Sequence, residues 1–262
     1  METQLKIYEK FANSKFEIII VDNSQNDEEW RSLQNVCDHF SFPLKVIKYG
    51  TPGKGSSESH GEGLQYIYNL IKDRKDIDYF LTQDPDFFWV KPDFLKFIED
   101  KMLTFTTVGA PYHFAYPIVD GGHPWFPAAF GCSYRWDMLT RISANFRALK
   151  DNSGIEKDVG WQVRCELSKF PYLNFEQESF VPKGEYSFEM IPRKYIVDGE
   201  TIAYHMHRGS FEVKAKRQIS WTKGRIQCQN KIHAMQAPQE WQENRKKMCD
   251  FFWKEISLKD KS

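Results

Sequence analysis

Long apolar runs are missing from this chain. Its longest unbroken aliphatic stretch is Ile18 to Val21, far short of the roughly 20 residues that a membrane-crossing helix needs. Met1 to Lys10 holds no signal-peptide apolar region, so the sequence reads as a cytoplasmic protein with no membrane span. Net charge is missing too, because 36 basic residues offset 36 acidic ones. No whole-molecule field therefore draws the protein onto nucleic acid or repels an anionic substrate, and any anion site must be local. The five cysteines, at 37, 132, 165, 228 and 249, form no C-x-x-C pair, which removes the usual spacing for zinc or dithiol chemistry and fits free thiols in a reducing compartment. A Walker loop is also absent: Gly55 separates Lys54 from Ser56, whereas ATPases place Ser or Thr directly after the lysine.

The 262 residues are 41% hydrophobic and 27% charged, which excludes a disordered chain and supplies enough apolar surface for a full core. Phe16 to Val21 is an aliphatic run that opens into Asp22-Asn23-Ser24, as a buried parallel strand does at its carboxyl end. Leu44 to Tyr49 reads as a second strand. It is followed by a glycine-rich loop from Gly50 and a helix with Leu64, Ile67, Leu70 and Ile71 on one face. Asp78 to Thr82 and Phe105 to Val108 are further strands, separated by a helix opened by Pro92 with Phe94, Phe97, Ile98 and Met102 inward. Alternation of this kind implies an α/β sheet.

Pro111 to Tyr134, rich in Gly, Pro and aromatics, reads as a long functional loop, and His113, Asp120, His123, Trp125 and Trp136 read as a surface for stacking sugar rings, although ordinary packing explains the tryptophans equally well. Asp158 to Ser168 reads as a helix, Tyr195 to His207 as a hairpin around Asp198-Gly199, and the chain beyond Phe211 as helical, ending in Gln239 to Ile256. Lys214, Lys216, Arg217, Lys223 and Arg225 form a basic cluster there, either a solvated face or a nucleic-acid surface.

Chemistry concentrates in Asp84-Pro85-Asp86. Two carboxylates two residues apart project to one side of an extended chain and can grip one hard divalent ion, Mg²⁺ or Mn²⁺, whose open positions take phosphate oxygens. A second D-x-D, Asp76-Ile77-Asp78, precedes the same strand, and ligands of α/β sheets bind at the carboxyl ends of strands, which selects Asp84 and Asp86. His205 and His207 end the predicted hairpin on one face, and a neutral imidazole is a good transition-metal ligand. Either of them could complete the site, or both are ordinary hydrogen-bonded histidines. Asp158 stands at a helix start, where it is either a general base or a cap for exposed amides.

With Phe16 to Asp27 and Asp84-Pro85-Asp86 about 60 residues apart, the chain resembles the GT-A fold glycosyltransferases, most closely the nucleotide-sugar-dependent family 2. The resemblance covers most of residues 16–210. It implies a GT-A type Rossmann-like mixed sheet flanked by helices, over residues 1–210, with a nucleotide-sugar half (1–108), an acceptor half (109–210) and a helical C-terminal extension (211–262). It also implies that Asp22, with Asn23 and Ser24, contacts the nucleotide, that Asp84 and Asp86 hold Mn²⁺ or Mg²⁺, that His205 or His207 is a late metal ligand, and that Asp158 is the catalytic carboxylate. Arg208 is then either a counter-charge for the departing diphosphate or a surface residue.

The implied reaction moves a sugar from a nucleoside diphosphate donor, UDP being the first to try, to an acceptor hydroxyl with inversion. The acceptor is a glycan, a small molecule or modified DNA. The alternatives are a nucleotidyltransferase of similar sheet and a DNA-binding protein. Family members usually begin with a central strand ending in Pro-Thr/Ser-Tyr-Asn, whereas this chain opens with a helix-like Leu5, Tyr8, Phe11 and Ala12. Three readings remain open: a shortened start, a strand at Thr3 to Tyr8, or a nucleotide held differently.

Overall fold

A computed structural model describes residues 1–23, 26–50, 56–111, 126–150, 156–179 and 193–205, with short pieces at 214–215, 219–222, 225–228, 231–232, 247, 250–251 and 254. The first third alternates helix and strand: α1 (Glu2–Phe11), β1 (Ile18–Asp22), α2 (Asp27–Cys37), β2 (Leu44–Lys48), α3 (Ser56–Ile71) and β3 (Tyr79–Gln83). Helix α1 settles the fate of Thr3 to Tyr8, which is helical and not a strand: Gln4, Ile7 and Phe11 recur at i, i+3 and i+7 and are buried on one face, while Leu5 packs in a separate cluster with Ile20 and Cys37. Helix α2, which hydrophobic spacing alone passes over, starts where the Asn26 side chain accepts from the Glu28 amide at 2.8 Å and three acids fill the first turn. Strands β1 and β2 run parallel, Ile18 opposite Leu44 and Asp22 opposite Lys48, and form a sheet of their own.

Strand β3 belongs elsewhere. It pairs with β6 (Pro127–Arg135) in a second sheet of order β3-β6-β5-β9, which also holds β5 (Thr107–Pro111) and β9 (Tyr172–Asn174). The β5-β9 pair is parallel and the other two are antiparallel. A third, antiparallel sheet has the order β10-β11-β12-β4, from β4 (Phe87–Trp89), β10 (Glu176–Ser179), β11 (Arg193–Val197) and β12 (Glu200–His205). The expected hairpin is thus present, with Asp198 and Gly199 at positive φ between β11 and β12. Helices α4 (Phe94–Met102), α5 (Trp136–Arg141) and α6 (Trp161–Leu167), and the short pair β7 (Leu149–Lys150) and β8 (Glu156–Lys157), complete this part. The architecture is mixed α/β, with several sheets and flanking helices, as the alternation of strands and helices implies.

The β3-β6-β5-β9 sheet is buried on both faces, which is why its strands read as near-continuous apolar runs. On one face Phe80, Cys132 and Tyr134 pack with Ile67, Tyr68 and Ile71 of α3 and Val163 and Leu167 of α6. On the other, Val108 and Ala110 meet Phe94, Ile98 and Met102 of α4, Ile7 and Phe11 of α1, and the aromatic residues of β4 and β11. Leu81 points to this second face and Phe80 to the first, as period-two alternation requires.

Two expectations are overturned here. Pro111 to Tyr134 is not a loop throughout, because its latter part is the nine-residue central strand β6. Glycine content hides that strand, but each glycine marks a close approach. A side chain on Gly131 would overlap the Phe87 ring, and one on Gly109 would lie 2.5 Å from the Gly131 carbonyl. Trp136 is core, 4% exposed, its indole N–H donating to the Arg74 carbonyl at 3.1 Å, and so is no part of an acceptor surface. Gly131→Ala should cost about 2–3 kcal/mol through overpacking, a melting-temperature fall of roughly 4–12 °C; an unchanged melt would disprove this packing.

The helical C-terminal extension is likewise corrected. Residues 214–232 contain β13 (Lys214–Ala215), β14 (Ile219–Thr222), β15 (Arg225–Cys228) and β16 (Lys231–Ile232). The β14-β15 register sets Ile219 opposite Cys228 and Trp221 opposite Ile226, so the apolar residues alternate at period two across a two-residue connection containing Gly224. Further on, Lys247, Asp250, Phe251 and Lys254 are helical, in line with the expected final helix. Among the described residues no helix is long and apolar enough to cross a membrane.

Candidate metal centre

Asp84-Pro85-Asp86 is a tight turn, not an extended segment. The Phe87 amide donates back to the Asp84 carbonyl at 3.1 Å, with Pro85 in the second position that favours its fixed φ. The carboxylates are therefore brought together by the turn, and strand alternation plays no part. Backbone contacts pin it. The Asp84 amide donates to the Phe130 carbonyl at 2.9 Å, and the Gln4 side-chain amide of α1 donates to the carbonyls of Asp84 (2.5 Å) and Phe87 (2.9 Å). Gln83 fixes the approach: its amide donates to the Phe87 carbonyl at 2.7 Å, and its oxygen accepts from Tyr8 Oη at 2.7 Å and Trp89 Nε1 at 2.9 Å.

His205, the last residue of β12, pairs in register with Phe87 of β4, so its ring reaches the turn. Its Nε2 lies 3.1 Å from Asp86 Oδ1, and the ring stacks on Phe130 with centroids 4.6 Å apart. One ligand atom from each of Asp84, Asp86 and His205 lies within 4.8 Å of the other two. Asp86 and His205 are buried, with residue exposures of 8% and 4%, while the Asp84 side chain is 29% exposed and opens the cluster outward.

Burial and neighbouring charge both act on Asp84 and His205. Burial, with the charges of Asp86 and Asp158, pushes the Asp84 carboxyl above its ordinary range against the pull of His60 and His205. For His205 burial acts downward, but the charge and hydrogen bond of Asp86 and the charge of Asp84 outweigh it and carry the imidazole upward. Tyr195 stacks on Phe87 at 5.5 Å and buries its hydroxyl with no hydrogen-bond partner among the described residues; burial, with the charges of Asp86 and Asp84, takes its pKa well above the usual value against the pull of Arg193. Two carboxylate oxygens and one imidazole nitrogen gathered this closely could hold a metal ion.

Helix α3 ties this turn to the end of β1. Asn23 Nδ2 donates to the Ser59 carbonyl at 2.7 Å, and the next residue, His60, places Nε2 3.4 Å from Asp84 Oδ1. Asp22 closes β1, its carbonyl accepting from Tyr49 (3.0 Å) and Gly50 (3.4 Å) amides, and Tyr49 packs against Tyr66 of α3 with centroids 4.7 Å apart. Asp158 precedes α6. Its Oδ1 accepts from the Val159 amide at 2.8 Å, while Gly160, at φ 70°, occupies the helix-cap position. The carboxylate is thus not the cap of α6, and its charge is felt at Asp84.

Of the residues singled out in the sequence, the structure gathers Asp84, Asp86 and His205, sets Asp158 within their electrostatic reach, and places Asp22 and Asn23 across the same turn of α3. Asn23 anchors the helix. Ser24, His207, Arg208, His113, Asp120, His123 and Trp125 lie outside the described residues, as does Lys54. The discarded pair behaves as a surface carboxylate should: Arg74 bonds Asp76 at 3.0 and 2.8 Å and holds its carboxyl down at about 2. His60 and Tyr195 escaped sequence reasoning. A histidine flanked by helical glycines was the signal for the first, and the second had none. No protein-family model matches this chain, and no curated protein does.

Proposed function

We propose that the protein is a metal-dependent glycosyltransferase that moves a sugar from a nucleoside diphosphate to an acceptor hydroxyl. The observation that carries this reading is the convergence of Asp84, Asp86 and His205, from a β-turn and a distant strand, into one donor set at the end of β3. Such a set would hold Mn²⁺, or Mg²⁺, and the ion would offset charge gathering on the departing diphosphate. Asp22, with Tyr49 and Tyr66 beside it, would receive the base, since aromatic faces stack on any nucleobase. UDP is the first donor to test.

Asp158 serves as the base in this reading. As the acceptor oxygen bonds the anomeric carbon, the bond from that carbon to the diphosphate oxygen breaks, and the hydroxyl proton passes to the Asp158 carboxylate. Attack from the face opposite the leaving group inverts the anomeric centre. Glycans, small molecules and modified DNA are the acceptor classes to assay. A panel of nucleotide sugars with Mn²⁺ tests the proposal: release of a nucleoside diphosphate from one of them is expected. Pyrophosphate release from a nucleoside triphosphate and a sugar phosphate, with no diphosphate from any donor, would instead assign a nucleotidyltransferase.

A further inference from the structure

We propose that His60 is a positioning residue that holds the Asp84 carboxylate in the orientation the metal centre needs, an inference that rests on the metal-site reading above. The place of His60 is dictated by the helix that carries it. Helix α3 contains Gly61 and Gly63, although each interior glycine costs roughly 1 kcal/mol against alanine. Both have a reason. A side chain on Gly61 would lie 2.8 Å from the Ala148 amide nitrogen and 2.9 Å from the Phe146 carbonyl, and one on Gly63 would lie 3.2 Å from Asn23 Nδ2. The helix therefore presses its backbone against residues 146–148 on one side and the end of β1 on the other.

Hydrogen bonds lock that docking. Ser59 accepts from Asn23 at 2.7 Å, Gln65 Oε1 accepts from the Phe146 amide at 2.7 Å, and Glu62 pairs with Arg147 at 3.1 Å. Held from both sides, this turn sets His60 Nε2 3.4 Å from Asp84 Oδ1.

The contacts of Asp84 leave its side chain in need of such a partner. Its amide and carbonyl are fixed by Phe130, Gln4 and Phe87, but those bonds restrain the backbone and leave the carboxylate free to rotate about χ1 and χ2. Asp86 Oδ1 and His205 Nε2 are hydrogen-bonded at 3.1 Å, while Asp84 meets His60 in an ion-pair contact at 3.4 Å, so each carboxylate faces its own imidazole. The two imidazoles differ. His205 is buried within the group of three ligand atoms, whereas His60 is a third exposed and stands outside that group. Groups that orient metal ligands from outside typically govern metal affinity by 10–100-fold.

The test is a Mn²⁺ titration of the whole protein without nucleotide, read from the paramagnetic signal of the free ion, alongside melting in EDTA. His60→Ala and His60→Asn, whose amide falls short of Asp84, should each weaken Mn²⁺ binding by about 10–100-fold. His60→Gln, which places its amide nitrogen near the position of Nε2, should recover most of the loss. Binding by His60→Ala as tight as wild type, or tighter because the imidazole competes with the cation, overturns the proposal. So does a Gln variant no better than the Asn variant, and that comparison decides the matter even if the Ala variant fails to fold. Wild-type protein that leaves the free Mn²⁺ signal untouched overturns the metal reading itself, a result separate from either.

Discussion

Asp86→Ala should abolish the stabilisation that Mn²⁺ with the correct nucleoside diphosphate confers on the wild-type protein. At about a hundred times Kd, a ligand that binds only the folded state adds roughly 2.7 kcal/mol, which for a chain of this size is about 5–10 °C in melting temperature. The variant should show none of it. Its metal-free melt should fall only modestly, because His205, relieved of its carboxylate partner, can remain buried as the neutral imidazole that burial itself favours. Differential scanning fluorimetry with EDTA, Mn²⁺, nucleotide, and both together separates the two effects. A full metal-dependent shift in Asp86→Ala would remove the metal centre from consideration.

Asp84→Asn should act in the opposite sense on the metal-free protein, raising its melting temperature at neutral pH while weakening Mn²⁺ by more than the 10–100-fold typical of residues that only orient ligands. The folded-state pKa of Asp84 is raised by burial and by its acidic neighbours. The unfolded chain therefore releases this proton first, and stability declines as pH climbs from about 3.9, the ordinary aspartate value, through the folded-state value. Asparagine has no proton to lose, so its advantage should be present at pH 7 and vanish below about pH 4. His205, also raised, contributes stability that is complete below about pH 6.5 and is lost as pH rises through its folded-state value. The two slopes share a direction. Because metal binding needs both groups deprotonated, the gap between metal-free and Mn²⁺-bound melting curves should widen from pH 6 to pH 8. Equal melts for Asp84→Asn and wild type in EDTA at pH 8 would show that the carboxylate is not strained.

Local signals were legible where one residue decides the matter. The hairpin at Asp198-Gly199 follows from a turn dipeptide, β1 and β2 from aliphatic runs ending in polar residues, and the preference for Asp84 and Asp86 over Asp76 and Asp78 from their position relative to β3. Strand β6 was not legible, since Pro127, Gly131 and the Gly- and Pro-rich sequence before them speak for a loop until Phe87 is seen lying over Gly131. Helix α2 was missed, because its signal lies in the Asn26 cap and acidic first turn and not in apolar spacing. For the hairpin of β14 and β15, the alternation of Ile219, Trp221, Ile226 and Cys228 was in the sequence, but basic residues around Gly224 read equally well as a broken helix. His205 could be singled out together with His207, while its contact with Asp86 required β12 to end in register with Phe87. The contact of His60 with Asp84 depends on how deeply α3 sinks between β1 and residues 146–148, a matter of three-dimensional fit.

The separation of β1-β2 from β3-β6-β5-β9 carries a mechanical corollary. Among the described residues no backbone ladder runs from the end of β1 to the acidic turn, so a pull on Asp22 is not relayed strand to strand. Beside the link through α1, whose Leu5 packs with Ile20 and whose Gln4 holds the Asp84 carbonyl, it travels through a helical rung, from Asn23 to the Ser59 carbonyl and on from His60 to Asp84. That rung works as a lever arm, and its stiffness comes from the absence of side chains at Gly61 and Gly63.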